Sequence, residues 1–461
     1  MQRHRHNSKR GLRASGEQGI IITLVAVFIL AVVGAMAAIS IDLATLYTAR
    51  SEAQLAADAA ALAGARVLAN SGMTSSQNAT LGANVAPLAI IVATQVAANN
   101  PVGGRTLVPG ASPCTGGQEI CVNINTAAAN FIGNPQVTVQ VQRADLPTFF
   151  ARVFGVTTLT VKASATAEAY NPTAIPGGAP PNPLLPVAPM CVKPWLLPNI
   201  DPINTGNHIF DPVAGTISDY SLLGWETPPF GGPTAIRLRS ACTGCTAQNN
   251  PVYPLRYYPG TTDTSGSFPA PSASSCVGCG GFSAYQLSVA GCVQTPISCK
   301  QTVTIDQTSD PNLDLHTREA VDTLTHSAGN HGDSVDTTVV TPPNGNAPFE
   351  FVAGAENPAV LSSSGLAAGS NIMVSDSLVT VPVINVDTVN WPNGGTLPSF
   401  PSVQIIGFLQ LFLSPTGQQA PFSGHIHAQI INLVGCGTGG VLTPTIIGNG
   451  ASPVAVRLIT P

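Results

Sequence analysis

The residues of this chain best suited to chemistry are its ten cysteines. Two pairs have the spacing Cys-x-x-Cys, Cys242 with Cys245 and Cys276 with Cys279, which suits a disulfide, a zinc site of thiolates or a redox pair. Residues 246–275 separate the two pairs, a longer gap than the roughly 15–20 residues of common zinc ribbons. We therefore favour disulfides and keep zinc and redox chemistry as alternatives.

Histidine and aspartate concentrate in one stretch, which contains His316, His326, His331, Asp314, Asp333 and Asp336. These side chains could ligate a metal ion, but neither H-E-x-x-H nor a comparable metal-binding spacing is present. A solvated loop is therefore the favoured interpretation of the stretch, and a metalloenzyme is the alternative.

Two further patterns are weak metal candidates. Residues Asp263 to Ser267 read D-x-S-x-S, but no apolar strand precedes them and Phe268-Pro269 follows, so a polar loop is favoured. His425 and His427 share one face of a predicted strand, but two ligands without a third do not make a site. The sequence also contains no G-x-S-x-G, P-loop or Rossmann glycine pattern. We predict no catalytic, cofactor-binding or metal-ligating residue, and a protein that is not an enzyme.

Charged residues are scarce, at 9% of the chain against about 25% in a typical soluble domain. The net charge of −5 gives no electrostatic footprint for phosphate, which argues against a nucleic-acid partner. The basic residues gather at the start, where Arg3, Arg5, Lys9, Arg10 and Arg13 precede the first acid, Glu17. Residues 1–18 therefore form a short basic head.

An uncharged apolar stretch follows the basic head over residues 19–41. As a helix it would measure about 34 Å, enough to span a hydrocarbon core of about 30 Å. Because basic flanks stay on the cytoplasmic side, we predict a single pass with residues 42–461 outside the cytoplasm. A cleaved signal peptide is the alternative, since Ala35-Met36-Ala37 offers an A-x-A site.

Outside the cytoplasm an even number of cysteines favours disulfide bonds. The candidates are Cys114, Cys121, Cys242, Cys245, Cys276, Cys279, Cys292 and Cys299. Cys114 and Cys121 could close a small loop, and Cys292 and Cys299 are expected to join the Cys-x-x-Cys cluster.

The apolar span is predicted to continue as one helix of about 50 residues, because residues 42–70 are dominated by alanine, the best helix former. Alanines recur every four residues along it, at Ala49, Ala53, Ala57, Ala61 and Ala65. Such a row of small side chains lets another backbone approach closely. The partner could be the helix's own domain or a neighbouring subunit, and the sequence leaves both interpretations open.

Residues 42–170 are expected to form a pilin-like α+β domain, a long helix packed on a small antiparallel sheet. A second helix is predicted from Pro87 to Asn99, with proline in its first turn. Alternating residues predict half-buried strands at 119–125, 136–142 and 158–168. A short helix ended by Gly155 is expected between the last two strands, over residues 146–155.

Residues 171–190 contain seven prolines and two glycines and are interpreted as a stiff linker. Residues 191–461 are interpreted as a β-rich extracytoplasmic domain, a sandwich or barrel. Its candidate strands are residues 349–353, 378–386, 403–412, 425–434 and 454–459, and residues 206–341 are the least legible part. The predicted fold class is α+β.

The N-terminal module resembles a known family. The residues that carry the resemblance are Gly16-Glu17-Gln18-Gly19, the apolar run to Ile41-Asp42-Leu43, Tyr47-Thr48-Ala49-Arg50, and Leu55 to Ala65 with the core Ala57-Asp58-Ala59-Ala60-Ala61-Leu62-Ala63-Gly64-Ala65. This pattern is similar to the TadG-like family of Flp, or tight-adherence, pilus assembly. The resemblance implies a single-pass protein of the bacterial inner membrane with an extracytoplasmic body, and it implies no reaction.

The resemblance favours a non-enzymatic component of Flp pilus assembly that acts by helix packing and surface contacts. Its expected partners are the inner membrane, other pilus-assembly or envelope proteins, and further copies of the chain. The alternative is a membrane-tethered adhesion or ligand-binding protein that uses the same anchor.

Overall fold

The structure of the protein is a computed structural model. It describes residues 16–76, 78–110, 117–125, 134–173, 185–201, 207–224, 236–240, 255–260, 268, 276, 278–306, 312–326, 335–338, 347–362, 365–385, 387, 402–414, 425–437, 446–448 and 452–459.

The first element is a continuous helix, α1 (Gly16–Asn70), of 55 residues. Its length confirms the prediction that the apolar span and the alanine-rich stretch form one helix. At 1.5 Å per residue it measures about 82 Å. The helix ends where Gly72 adopts φ 81°, a left-handed conformation that glycine takes without steric cost, and a 3₁₀ turn follows at Met73–Ser75.

The second helix, α2 (Ala79–Asn99), begins eight residues before the predicted start. The prediction that Pro87 opens the helix is therefore wrong, because Pro87 lies inside it. Asn78 is the actual N-cap, and its side-chain oxygen accepts a hydrogen bond from the Thr80 amide at 3.0 Å. This bond satisfies one of the amides that a helix start leaves unpaired, which fixes the start upstream of the proline.

The predicted strands follow as β1 (Ile120–Asn125), β2 (Gln136–Pro147) and β3 (Thr158–Tyr170), joined in antiparallel register. Val137, Val139 and Val141 point inward from β2 and are at most 1% exposed, as their alternation predicts. This sheet packs against α1 and α2, so the predicted arrangement of a long helix on a small antiparallel sheet is confirmed.

The predicted short helix over residues 146–155 is mostly wrong. Leu146 and Pro147 complete β2, and only a 3₁₀ turn, Ala151–Phe154, remains before Gly155 at φ 86°. The strand persists because Leu146 is buried at 2% exposure and pairs with Leu159 of β3. Residues 148–157 therefore form the tip of a β-hairpin.

The described residues of the remaining region form many short strands and three short α-helices. Its elements are β4 (Val187–Ala188), β5 (Trp195–Pro198), β6 (Ile236–Ser240), β7 (Leu255–Pro259), α3 (Ala284–Ala290), β8 (Thr302–Thr304), α4 (Leu313–Leu324), β9 (Thr337–Thr338), β10 (Phe351–Val352), α5 (Pro358–Leu361), β11 (Asn371–Ile372), β12 (Leu378–Ile384), β13 (Ser402–Ser414), β14 (His425–Gly435) and β15 (Ile446–Ile447).

The largest sheet of this region has the strand order β12-β5-β7-β6-β14-β13-β8, and β12 also pairs with β13. The extra pairing closes six strands into a ring, the topology of a barrel with β8 as an added strand. Large aromatic side chains fill the core, and Trp195, Tyr257 and Phe210 are completely buried.

Of the predicted linker, the structure describes residues 171–173 and 185–190, where Val187 and Ala188 are 1% exposed.

The last strand of the chain, β16 (Ala455–Ile459), pairs with β3 and completes the first sheet in the order β1-β2-β3-β16. The sequence placed this strand in the C-terminal β domain, and that placement is wrong. Side-chain contacts explain the choice of sheet. Glu168 of β3 accepts a hydrogen bond from Arg457 at 2.5 Å, and the Arg457 guanidinium lies 4.8 Å from the centroid of the Tyr170 ring.

Candidate functional site

The first half of α1 presents an uncovered apolar surface. Across residues 19–41 every side chain is exposed except those of Ala35 and Ala38, which are half-buried, and Leu30 is 75% exposed. The helix is long and apolar enough to cross a membrane. Exposure of such a surface to water is unfavourable, so this half of α1 is a candidate membrane span.

Helix α2 also has the length and composition of a membrane span. One face of it, however, packs against α1 and the sheet, since Leu81, Val85, Ala89 and Ala93 are completely buried. A helix with one buried apolar face is typical of a folded domain, where it packs on the core.

The second half of α1 is buried by its own domain. Ala49, Ala53, Ala57, Ala61 and Ala65 are all 0% exposed and belong to one core cluster with Val137, Val139 and Ala165 of the sheet. The alanine row therefore contacts the chain's own sheet, the first of the two interpretations that the sequence left open. A neighbouring subunit would have to approach another face of the helix.

At Gly64, α1 approaches both β2 and α2 closely. A Cβ added at Gly64 would lie 2.9 Å from Val137 Cγ1 and 3.2 Å from Ala93 Cβ. Only a residue without a side chain fits there, so the alanine-rich composition is required by helix and sheet packing.

Asp42 connects the end of the apolar span to the hairpin tip. Its carboxylate accepts backbone hydrogen bonds from Phe149 at 2.8 Å, Phe150 at 3.0 Å and Ala151 at 2.7 Å. Burial opposes the charge, but the amides of Ala151, Phe149 and Phe150 outweigh it and lower the pKa of Asp42 below its ordinary value. Sequence reasoning did not predict this role, although Asp42 carries a signal for it as the first charge after the span.

The hairpin tip that Asp42 holds is apolar and exposed. Phe149 is 64% exposed, Val153 81% and Phe154 72%, and Phe150 and Val156 are also exposed. Large apolar side chains grouped on a surface mark a contact with another apolar phase.

A buried polar network joins the end of α1 to the C-terminal barrel. The Asn432 side chain of β14 donates to the Ala69 carbonyl and to Gln410 Oε1, both at 2.6 Å, and accepts from Thr74 and Ser75 at 3.2 Å. Gln410 Nε2 in turn donates to Asn70 Oδ1 at 3.1 Å. Because every polar group here has a partner, the network fixes how the two regions meet.

The described cysteines are all in disulfides, so the prediction of disulfide bonding is confirmed for them. Cys276 bonds Cys279, with Cα atoms 5.7 Å apart. Cys292 bonds Cys191 and Cys299 bonds Cys436, so these two cysteines do not join the Cys-x-x-Cys pair as expected. Cys121 is also disulfide-bonded. Cys114, Cys242 and Cys245 lie outside the described residues.

The disulfide candidates predicted from the sequence did not include two of the bonded cysteines, Cys191 and Cys436. Their bonds close loops of 101 and 137 residues along the chain, and no local spacing reveals such pairs.

The histidine and aspartate stretch is not a solvated loop where the structure describes it. His316 lies on the helix α4, which is packed against α3. His326 contacts Asp376 at 2.9 Å, and this carboxylate raises the pKa of His326 above its ordinary value. Asp336 is buried and accepts from the Gly354 amide at 2.8 Å and from Asn357. Local hydrogen bonds and helix packing therefore occupy these side chains.

Among the described residues, no three histidines, cysteines or acids cluster as a metal site would need. His331, Asp333 and residues 263–267 lie outside the described residues, and so do the side chains of Asp314, His425 and His427.

Lys193 is a buried cation that no sequence pattern revealed. Its Nζ donates to the carbonyls of Val289 at 2.6 Å and Gly291 at 2.7 Å, at the C-terminal end of α3. Burial lowers the pKa of Lys193 to about 7. The carbonyls at a helix C-terminus favour a positive charge. Lys193 therefore holds the C-terminal end of α3 beside the start of β5.

Comparison with known proteins gives one match. No curated protein and no solved structure matches the chain. Residues 21–67, which include most of the span and the whole alanine row, match the family model Tad, Putative Flp pilus-assembly TadE/G-like. The N-terminal helix that carries the span and the alanine row is thus similar to the TadE/G-like family model, in agreement with its sequence resemblance.

Proposed function

We propose that the protein is a membrane-anchored, extracytoplasmic component of Flp-type pilus assembly in the bacterial inner membrane. The basic head lies in the cytoplasm, α1 crosses the bilayer once, and residues 42–461 lie outside. The protein acts by helix packing and surface contacts, and catalysis has no part in this role.

One observation carries the proposal. A single unbroken helix has an apolar half that no protein covers and a second half sealed into an α+β layer. The TadE/G-like match covers both halves of that helix. A helix of this kind holds a folded body at a fixed height above the membrane, which suits a scaffold for neighbouring envelope proteins.

Enzyme fusions test the topology. Alkaline phosphatase, which is active only outside the cytoplasm, is fused after Ile175 and separately after Pro461, and both fusions should be active. A fusion after Gly11, before the span, is the control and should be inactive. Inactive fusions at both outer positions would overturn the proposed orientation.

A deletion strain tests the role. Loss of the chain should abolish Flp pili counted by electron microscopy, and the full chain supplied in trans should restore them. Normal pili together with lost surface attachment would instead support a tethered adhesion protein.

A further inference from the structure

We propose that the β2–β3 hairpin tip, residues 148–157, is a second membrane contact that inserts into the outer face of the bilayer that α1 spans. The inference rests on the proposed membrane span and adds to it a lipid-binding surface on the folded body. The occupant of this surface is the boundary between lipid headgroups and acyl chains.

The composition of the tip suits that boundary. Residues 148–157 contain three phenylalanines, two valines and a single charge, Arg152. Phe149, Val153 and Phe154 are 64–81% exposed in the folded chain. Aromatic side chains favour the interfacial region, and an exposed arginine can place its apolar stem in lipid and its charge among anionic headgroups.

The position of the tip is fixed by Asp42. Three consecutive backbone amides of the tip bind the carboxylate of the first residue after the span, at 2.7–3.0 Å. The tip therefore lies at the level where α1 leaves the apolar phase. Those amides also satisfy the charged Asp42 carboxylate with hydrogen bonds, which reduces the cost of holding it at the bilayer surface.

Helix α1 also presents exposed apolar and aromatic side chains close to Asp42. Ile39, Leu43 and Tyr47 of α1 are 59%, 47% and 66% exposed. These residues extend the exposed apolar surface of the span past Asp42, the residue that binds the tip. This continuity favours lipid over another protein as the occupant.

Photo-crosslinking of the full chain in phosphatidylethanolamine and phosphatidylglycerol vesicles tests the inference. A benzoylphenylalanine replaces Val153 in the tip, Val213 in a turn of the C-terminal region, or Leu30 in the span. Val153 and Val213 are matched, at 81% and 83% exposure. Phospholipid adducts, identified by mass spectrometry, should form at positions 30 and 153, with a several-fold lower yield at 213.

The crosslinker at position 30 distinguishes failure of the hairpin contact from failure of the proposed membrane span. Lipid adducts at 30 with none at 153 would overturn the hairpin contact and leave the anchor standing. Adducts at neither position would overturn both proposals. A protein adduct at 153 in place of lipid would assign the tip to a protein partner and also overturn the inference.

Discussion

The two regions of this molecule are held together by different means. The N-terminal layer of α1, α2 and the first sheet packs small side chains at close range, with completely buried alanines against valines. The C-terminal region packs large aromatic residues such as Trp195 and Phe210, and disulfides join distant parts of it. The first region depends on how closely backbones approach, and the second depends on covalent links across long loops.

This contrast follows from how the two regions are built. The N-terminal layer is based on one continuous helix of 55 residues, and α2, β1, β2 and β3 follow it closely along the chain. The C-terminal region has short strands and many Gly and Pro turns, and its unfolded chain has more entropy to lose. Cross-links that restrict the unfolded chain are most effective in that setting.

The largest effect should come from opening the Cys299–Cys436 disulfide, which has the largest sequence separation among the bonds between described cysteines. Replacing Cys299 and Cys436 by serine frees a loop with a sequence separation of 137 and should lower the free energy of unfolding by about 2–5 kcal/mol. Relative to the unsubstituted chain, the rate of hydrogen exchange should rise more in β13 and β14 than in residues 49–69 of α1. An equal rise in exchange rate in both regions would contradict the contrast.

The control is the same double substitution at Cys276 and Cys279, whose separation is 3. The chain-entropy relation makes its effect about 3 kcal/mol smaller.

The next effect concerns the junction of the regions. Asn432→Ala removes the buried side-chain partner of Thr74 and Gln410 and should lower stability by about 3 kcal/mol. The midpoint of denaturant unfolding should then fall, because one of the buried contacts between the regions is lost. Asn123→Ala, on an exposed position of β1, is the control and should leave the midpoint unchanged.

The alanine row offers a smaller effect. Ala57→Leu adds bulk at a position with 0% exposure and should lower the free energy of unfolding by about 2 kcal/mol through overpacking. Ala44→Leu makes the same change at an exposed position of α1 and should be nearly neutral. If Ala57→Leu weakened only association between chains, the row would face a neighbour instead of its own sheet.

The smallest effect is pH-dependent and concerns Asp42. The folded state lowers the pKa of Asp42, so its stabilising effect is present above the ordinary value of 3.8 and is lost as the pH falls further. Asp42→Asn should therefore lower the melting temperature at pH 7, and the difference from the unsubstituted chain should shrink towards pH 3. A constant difference across this range would show that the charge has no part.

The sequence revealed what depends on neighbours along the chain. The length of α1 follows from an alanine-rich stretch without proline, and the inward valines of β2 follow from strict alternation. The helix α4 was missed because its charged residues suggested a loop, whereas Ala320 and Val321 pack it against the barrel.

What depends on distant partners was not predictable. The serine and threonine of the turn after α1 carry no sign that Asn432 will bind them. Alternation in β16 fits either sheet, whereas its contacts with Glu168 and Tyr170 and the burial of Ala455 and Val456 favour the first sheet. For the candidate site, small residues indicated a close contact, but smallness alone does not identify the partner.

The placement of β16 has a consequence for the order in which the protein matures. In the proposed topology the chain crosses the membrane from its N-terminus, so β1, β2 and β3 emerge long before residues 455–459. During that interval the edge of β3 exposes unpaired amides and carbonyls, which can accept a strand from any nearby chain. Completion of the first sheet therefore requires that the chain has been exported as far as residue 459, and a nascent chain stalled after residue 170 is open to strand exchange with its neighbours.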